Sequence, residues 1–217
     1  MSADTPTLGV VAISKNEEED MPRFLEHLLP WVNEIVIVDD GSTDATVDII
    51  KAAGPKVKLV EHPRDDELGF AGQRNIGIDE ASSDWLIHMD IDMRVPPSLA
   101  REMQEAIRDP SKDAYYFRLR NFYLHRLLEH GGQQGWNKTW LCRRESARFS
   151  RRLHEQIEVT CSDSRIGQIE NPMWHLNDNS FLERLQKSAR YSELEGRRIV
   201  ESGLKVKWRH FLLSGMP

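Results

Sequence analysis

The sequence of this 217-residue chain lacks the features of a membrane-spanning or secreted protein. No run approaches the roughly 20 consecutive apolar residues that a membrane-spanning helix needs. Residues 1–7 lack the basic-then-apolar pattern of a signal peptide. Only two cysteines are present, Cys142 and Cys161, and their spacing fits no metal site, so we expect free thiols. These absences favour a cytoplasmic protein, either free or in peripheral contact with the inner membrane face.

Two further absences narrow the class of function. The net charge of −6 disfavours a general nucleic-acid-binding protein. No glycine-rich phosphate loop follows the first predicted strand, which argues against a nucleotidyltransferase.

Basic residues are nevertheless concentrated between residues 118 and 152, where nine Lys/Arg and two acidic residues give +7. This basic window is either a solvated face or a pocket for an anion, such as a diphosphate or a phosphorylated acceptor.

Apolar runs and helical patterns alternate over the first hundred residues. The predicted strands cover 8–13, 34–38, 57–60 and 85–89, with helices at 17–30, before residue 51 and at 70–81. This alternation predicts an α/β fold whose central sheet is mostly parallel and flanked by helices. After Pro96-Pro97 the pattern changes to one helix, a long β-type run over 114–124, short strands and a helix that begins near Ser180. We expect a nucleotide-binding half (1–97) and an acceptor-side α+β half (98–217) of one domain.

Two acidic pairs follow predicted strands. Asp39-Asp40 ends the run at 34–38, and Asp90-Ile91-Asp92, which has the form of a DXD motif, ends the run at 85–89. Ligands of open α/β sheets bind outside the carboxyl ends of the strands. Carboxylates there suit a hard divalent cation that shares its ligand shell with phosphates. The two pairs predict one site for a nucleotide and a metal. The alternative is that these residues only form turns and cap helices.

Four short motifs, in this order and spacing, resemble a family 2 glycosyltransferase with the GT-A fold. They are Ile13-Ser14-Lys15-Asn16-Glu17, Val38-Asp39-Asp40-Gly41-Ser42-Thr43-Asp44, Gln73-Arg74-Asn75-Ile76-Gly77 and Asp90-Ile91-Asp92. The second half is similar to the branch that contains lipopolysaccharide core β-1,4-glucosyltransferases. The residues that carry this looser similarity are 136–144, Arg148-Phe149, His154-Glu155, His175, Lys187 and Tyr191.

The resemblance implies an inverting, metal-dependent hexosyltransferase that moves a sugar from a nucleotide-sugar, most simply a UDP-sugar, to a hydroxyl acceptor. The acceptor would be a lipopolysaccharide, another glycan or a glycolipid, and it could be anionic. Asp92 would ligate Mn²⁺ or Mg²⁺, and Asp90 would contribute to the metal site or orient the ribose. His175 would be a third metal ligand, or else an ordinary core histidine. The rival functions are a sugar transferase acting on modified nucleic acid and a non-catalytic nucleotide-binding module.

The resemblance also assigns roles to residues that would contact the donor. Asp40 would accept from the imide N–H of uracil, and Asp39 would lie behind it or near the ribose. Ser14, Asn16 and Glu17 would line the base and the ribose. Arg74 would pair with the diphosphate, for which its fork of donors is suited, unless it is an exposed helix arginine.

The remaining assignments concern the acceptor. Inversion requires a base that takes the proton of the acceptor hydroxyl, and the resemblance points to Glu155. His154 could be that base instead or could orient Glu155, and a structural His-Glu pair is the alternative. Trp136 and Trp140 flank Lys138 and suit either sugar binding or the core.

Overall fold

The computed structural model describes residues 5–65, 69–130, 136–150, 156–177, 180–201 and 203. Its strands are β1 (Leu8–Ser14), β2 (Glu34–Asp39), β3 (Val57–Glu61), β4 (Trp85–Asp90), β5 (Met93–Arg94), β6 (Ala114–Tyr123), β7 (Arg126–Leu127), β8 (Asn137–Arg143), β9 (Ala147–Ser150), β10 (Gln156–Val159), β11 (Ile166–Gln168) and β12 (Met173–His175). Its α-helices are α1 (Met21–Leu28), α2 (Thr46–Ala52), α3 (Gly69–Glu80), α4 (Pro97–Ala106) and α5 (Phe181–Glu201). The chain divides into two units, Met1–Arg120 with Gly135–His175, and Asn121–Gln134 with Leu176–Pro217. The predicted division into halves at residue 97 stays a prediction.

Four parallel strands form the part of the sheet that the sequence pattern predicts. They lie in the order β3-β2-β1-β4, and each neighbouring pair is parallel. Successive residues of β1 face opposite sides of the sheet: Val10 packs in one apolar cluster with α1, and Val11 packs in another with α3. The strands β1, β2 and β4 are buried almost throughout, which explains why they read as continuous apolar runs, whereas the edge strand β3 is partly exposed. The predicted α/β class is confirmed.

Helix α3 lies close against the sheet at Gly77. A Cβ atom at this position would lie 2.4 Å from Cγ1 of Val11 on β1, so a larger residue would push the helix away. Arg74 and Asn75, one turn earlier on the same helix, are thereby held next to the sheet as well.

The second half of the chain adds mainly antiparallel strands. β8 pairs antiparallel with both β4 and β6, and β12 pairs antiparallel with β5. β11 pairs with β6 in parallel, while β9 and β10 form a separate antiparallel pair that packs near α3. The sheet is thus mixed, with its parallel strands on one side and its antiparallel strands on the other.

Helix α1 begins later than its apolar pattern predicts. The expected start at residue 17 is wrong, since α1 begins at Met21. The carbonyl of Glu17 accepts from the backbone N–H groups of Asp20 (3.2 Å) and Met21 (2.9 Å), which makes a turn rather than a helix. Pro22 then stands in the first helical turn, where its missing N–H costs nothing. Asp20 pairs with Arg94 at 3.4 Å.

The second unit contains the end of β6, β7 and α5. β6 ends at Tyr123 because Leu124 and His125 adopt left-handed backbone, with φ of 47° and 62°, and turn the chain into β7. Asn177 Nδ2 donates to the carbonyl of Phe122 (3.0 Å). α5 starts directly after Ser180, as predicted. Among the described helices, none has the length and apolarity needed to cross a membrane.

Candidate active site

The two acidic pairs lie at the same edge of the sheet. β1 lies between β2 and β4, and its register places Ser14 beside Asp39 and Ile13 beside Asp90. All three strands are parallel, so their carboxyl ends meet at this edge. Two strand spacings separate Asp39 from Asp90, which corresponds to roughly 10 Å. This distance suits a ligand with a base at one end and phosphates at the other.

Asp90, Asp92 and His175 form a cluster that could hold a metal ion. Each offers one ligand atom, and these atoms all lie within 4.8 Å of one another. Nε2 of His175 lies 3.2 Å from Oδ2 of Asp92. The other oxygen of Asp92, Oδ1, is buried and has no hydrogen-bond partner among the described residues. Two carboxylates with an imidazole fit a divalent cation, and a buried carboxylate oxygen without a donor is the kind of atom a cation would satisfy.

The β5–β12 pairing brings His175 to this cluster. The chain runs from Asp92 directly into β5, where Met93 pairs with His175 and Arg94 with Trp174. Nη1 of Arg94 donates to the carbonyl of Ile91 (2.6 Å), which fixes the turn between the two aspartates. The two residues that follow the acidic triplet thus position the histidine beside it.

Arg74 lies against Asp90. Its side chain is only 2% exposed, and Nη2 donates to Oδ1 of Asp90. The guanidinium carbon lies 5.7 Å from the ring centroid of Trp140 and 5.3 Å from that of Phe149. Burial alone would raise the pKa of Asp90, but the charge and hydrogen bond of Arg74 outweigh burial and hold that pKa below its ordinary value. The alternative of a solvent-exposed helix arginine is therefore wrong.

Asn75 fixes one of the rings beside Arg74. Its Nδ2 donates to the carbonyl of Phe149 (2.9 Å), and its Oδ1 accepts from the N–H of Phe149 (2.8 Å). The side-chain amide thus pairs with β9 as a strand neighbour would. The pairing of Asn75 with Phe149 cannot be read from the sequence, since a contact over 74 residues leaves no local pattern.

Both carboxylate oxygens of Asp39 are hydrogen-bonded within the protein. The side chain is 1% exposed, its Oδ1 accepts from the hydroxyls of Ser14 (2.8 Å) and Ser42 (2.6 Å), and its Oδ2 accepts from the N–H of Ser42 (2.7 Å). This carboxylate joins the end of β1 to the turn after β2. The turn-forming alternative is therefore the one that the contacts of Asp39 favour.

Asp40 lies nearer the surface, among cations. Its Oδ1 accepts from the backbone N–H of Arg64 (2.6 Å), and its Oδ2 lies 3.5 Å from Nζ of Lys15. The guanidinium of Arg64 lies over the ring of Phe70, 4.4 Å from its centroid. Sequence reasoning missed Lys15 and Arg64, although Lys15 stands inside the first motif.

All three other predicted donor residues connect β1 or the loop after it to β2 or the segment that follows β2. Asn16, with a left-handed φ of 56°, accepts at Oδ1 from the N–H of Thr43 (2.8 Å). The N–H of Glu17 donates to Oγ1 of Thr46 (2.7 Å). Ser14 Oγ is bound to Asp39, as described above. These contacts shape the edge of the sheet next to Asp40.

The predicted base lies outside the described residues. His154 and Glu155 belong to the stretch 151–155, which connects β9 to β10 in the sequence. The side chains of Lys187 and Tyr191 on α5 are likewise outside what the structure describes.

Comparison with known proteins identifies the family. Residues 9–168 match the model of Glycosyl transferase family 2. The chain belongs to glycosyltransferase family 2. This glycosyltransferase is 27% identical over 220 residues to the lipopolysaccharide core biosynthesis glycosyltransferase LpsC of Rhizobium meliloti (strain 1021), covering 93% of the chain and 74% of LpsC. It is 25% identical over 212 residues to an uncharacterized glycosyltransferase of Rickettsia typhi, covering 91% of the chain and 70% of that protein.

Solved structures agree on the fold of this glycosyltransferase. S. aureus TarS 1-349 in complex with UDP-GlcNAc superposes with a TM-score of 0.60 at 14% identity, over 80% of the chain and 59% of the TarS chain. Mannosyl-3-phosphoglycerate synthase from Rubrobacter xylanophilus superposes with a TM-score of 0.54 at 15% identity, over 98% of the chain and 79% of that enzyme. The fold is GT-A, as the motifs predicted.

Proposed function

We propose that this glycosyltransferase moves a sugar, with inversion, from a UDP-sugar to a hydroxyl group of a glycan or glycolipid. The observation that carries the proposal is the cluster of Asp90, Asp92 and His175 at the carboxyl edge of the parallel strands, directly beside Arg74. The UDP-GlcNAc complex of TarS, which shares the fold, supports a nucleotide-sugar donor. The similarity to LpsC supports a glycan acceptor.

Asp90, Asp92 and His175 would hold Mn²⁺ or Mg²⁺, and the ion would supply positive charge to stabilise the diphosphate leaving group. Arg74 would add a fixed positive charge beside that diphosphate while it keeps Asp90 ionised. Asp40 would accept from the base at Oδ2, because Oδ1 is already bound to the N–H of Arg64. Asp39 would act indirectly, by holding the loops that carry Asp40.

Glu155 would be the base, in line with the family resemblance, and His154 would orient it or replace it. In a single displacement the acceptor oxygen bonds to the anomeric carbon, and the bond from that carbon to the diphosphate oxygen breaks. The hydroxyl proton passes to the base, and UDP leaves with the electron pair of the broken bond. Residues 1–97 would bind the donor in this scheme, and residues 98–217 would bind the acceptor.

Calorimetric titration tests the donor site. UDP, GDP, dTDP and CDP are each titrated with Mn²⁺ and again with EDTA, for the wild-type protein, for Asp92→Asn and for Asp48→Asn. Asp48 is an exposed aspartate on α2 and serves as the matched control. We expect manganese-dependent binding of UDP that Asp92→Asn abolishes and Asp48→Asn preserves. Binding of no nucleotide, or binding insensitive to both EDTA and Asp92→Asn, would contradict the proposal.

The reaction itself is tested by UDP release from UDP-sugars in the presence of candidate acceptors. Glu155→Gln should keep UDP affinity and lose transfer, because a neutral amide cannot take the hydroxyl proton. Anomeric NMR of the product should show inverted configuration. Retained configuration, or normal turnover by Glu155→Gln and His154→Gln alike, would overturn the assignment of the base.

A further inference from the structure

A strip of three side chains lies next to Arg74. Lys138 and Trp140 belong to β8, and Trp136 directly precedes this strand. We call Trp136, Lys138 and Trp140 the β8 strip. The register of β8 with β6 is irregular at Trp140, and the side chain of Lys138 nevertheless lies beside both rings. Nζ of Lys138 lies 5.3 Å from the ring centroid of Trp136 and 5.4 Å from that of Trp140. Lys138 is exposed, and Trp136 is 47% exposed. An ammonium group held beside two aromatic rings in water is partly ordered before any ligand arrives.

The cation of the β8 strip has no carboxylate within ion-pair distance in the part of the chain that the structure describes. Two arginines of the window are paired, Arg143 with Asp113 (3.1 Å) and Arg148 with Asp79 (3.0 Å), whereas Arg118, Arg120 and Arg126 are exposed like Lys138. Lys138 is distinguished by the two tryptophan rings beside its ammonium group.

The β8 strip begins beside the candidate metal cluster and runs away from it. β8 is antiparallel to β4, and their ladder ends with the pair of Ile87 and Leu141, next to Trp140. Nζ of Lys138 lies 5.4 Å from the ring centroid of Trp140, the guanidinium carbon of Arg74 lies 5.7 Å from the same centroid, and Arg74 donates to Asp90. From Trp140 to Trp136 the strand covers roughly 13 Å, about the length of two linked pyranose rings.

We propose that the β8 strip is the acceptor subsite and that it takes a sugar bearing a phosphate or carboxylate group. The assignment rests on the proposed function, since it names the acceptor of the same reaction. The exposed indole of Trp136 offers a flat apolar surface for the C–H face of a pyranose ring, and the partly buried Trp140, which packs against the core, adds the edge of the strip nearest Arg74. Lys138 offers a positive charge for the anionic substituent. A pyranose ring bound at Trp140 would lie at the end of the strip nearest Arg74, whose guanidinium carbon is 5.7 Å from the indole centroid.

Nucleic acid fits these observations less well. Aromatic and basic side chains also bind single strands, but such sites follow the backbone along an extended basic groove. Here the strip contains one lysine, the neighbouring arginines at 143 and 148 are paired with aspartates, and the chain carries −6 overall.

Ligand-observed NMR titration of the full chain tests the subsite with glucose, glucose 6-phosphate and glucuronic acid. We expect one or both charged sugars to bind at least about fivefold more tightly than glucose, and Lys138→Gln to remove that preference. Trp136→Ala should weaken all three sugars, while Trp136→Phe should keep most of the affinity. Lys51→Gln, an exposed lysine paired with Glu61, and Tyr116→Ala, an exposed aromatic residue opposite Thr139, should leave the preference unchanged.

UDP titration with Mn²⁺ on the same samples separates the two proposals. Absence of UDP binding in the wild type would overturn the proposed function, whereas equal affinity for glucose and both charged sugars would overturn only the acceptor assignment. If Lys138→Gln weakened UDP but left the sugars unchanged, Lys138 would be a donor contact and the subsite would be wrong. Displacement of glucose 6-phosphate by a single-stranded oligonucleotide, at lower concentration than by glucuronic acid, would point to a nucleic-acid acceptor instead.

Discussion

Arg74 of α3 donates from Nη2 to Oδ1 of Asp90 at the end of β4, with its guanidinium buried against the rings of Trp140 and Phe149. An arginine cannot discharge by losing its proton inside a protein, so it requires the carboxylate. The second carboxylate oxygen of Asp90, Oδ2, does not take part in this hydrogen bond. One ion pair therefore joins the helix to the edge of the sheet and sets the charge of the candidate metal cluster.

Arg74→Met should lower the free energy of unfolding by about 2 kcal/mol, less than for a fully buried pair because Asp90 is partly exposed. Arg74→Lys should recover much of the stability but not the affinity for UDP, since a lysine lacks the fork that binds two oxygens at once. Urea denaturation and UDP calorimetry measure the two effects. Wild-type UDP affinity in Arg74→Lys would show that the fork is not used for the diphosphate.

Mn²⁺ should raise the melting temperature of the wild-type protein, and EDTA should remove the effect, because a ligand that binds only the folded state stabilises it. His175→Gln should weaken Mn²⁺ binding by more than about tenfold, as it removes one of three ligands from the cluster. Electron paramagnetic resonance of free Mn²⁺ gives the affinity directly. An unchanged affinity in His175→Gln would place the histidine outside the metal site.

Asp39 and Asp40 are neighbours with opposite expected phenotypes. Asp39→Asn should cost about 2 kcal/mol of stability, because a buried amide has only one oxygen for the donors of Ser14 and Ser42. Asp40→Asn should change stability little and weaken UDP, because its carboxylate faces the proposed base site. Chemical denaturation measures the stability of both variants, and calorimetry measures their affinity for UDP. Normal UDP affinity in Asp40→Asn would contradict the assignment of Asp40 as a contact of the uracil ring.

His27 should make stability fall as the solution is acidified. Burial lowers the pKa of His27 from 6.5 to about 4, and its Nε2 accepts from the N–H of Val95 at 3.3 Å. Because the folded pKa lies below the unfolded one, this stabilisation is complete above pH 6.5 and is lost as the pH falls towards about 4. The slope due to one such group is up to about 1.4 kcal/mol per pH unit.

Urea denaturation of the wild type and of His27→Gln, measured over that interval, isolates this effect. Glutamine retains an oxygen that can accept from Val95 but does not titrate, so the slope of stability against pH should be shallower in the variant. His88, whose pKa burial lowers to about 3, contributes equally in both proteins. Identical slopes would rule out His27 as the source.

The sequence predicts the parallel strands and the meeting of both acidic pairs because those signals are local. An apolar run ended by acidic residues identifies both the strand and its edge, as in β4 with Asp90. The contacts that complete the site are not local. β5 and β12 have two and three residues, too short for any periodicity, and the Asn75–Phe149 pairing joins residues 74 positions apart. The resemblance to the family, rather than the pattern, suggested His175 as a metal ligand, and its place beside Asp92 is compatible with that role.

The start of α1 shows a different limit of sequence reasoning. Its apolar stripe is correctly placed, with Phe24, Leu25 and Leu28 buried. Side-chain periodicity carries no information on whether the backbone turns before the stripe begins, and the turn at Glu17 precedes it. The proline at position 22 was the available signal, since proline favours the first helical turn.

The short antiparallel pairing of β5 with β12 also has a kinetic consequence. The parallel strands β1 to β4 can associate through segments close in the chain, whereas β12 must close a loop of about eighty residues to reach β5. A chain that has folded its parallel strands but has not yet closed this loop would have Asp90 and Asp92 in place without His175. Full Mn²⁺ affinity would then be gained only when β12 pairs with β5. The recovery of Mn²⁺ affinity during refolding would therefore report the rate at which the sheet is completed.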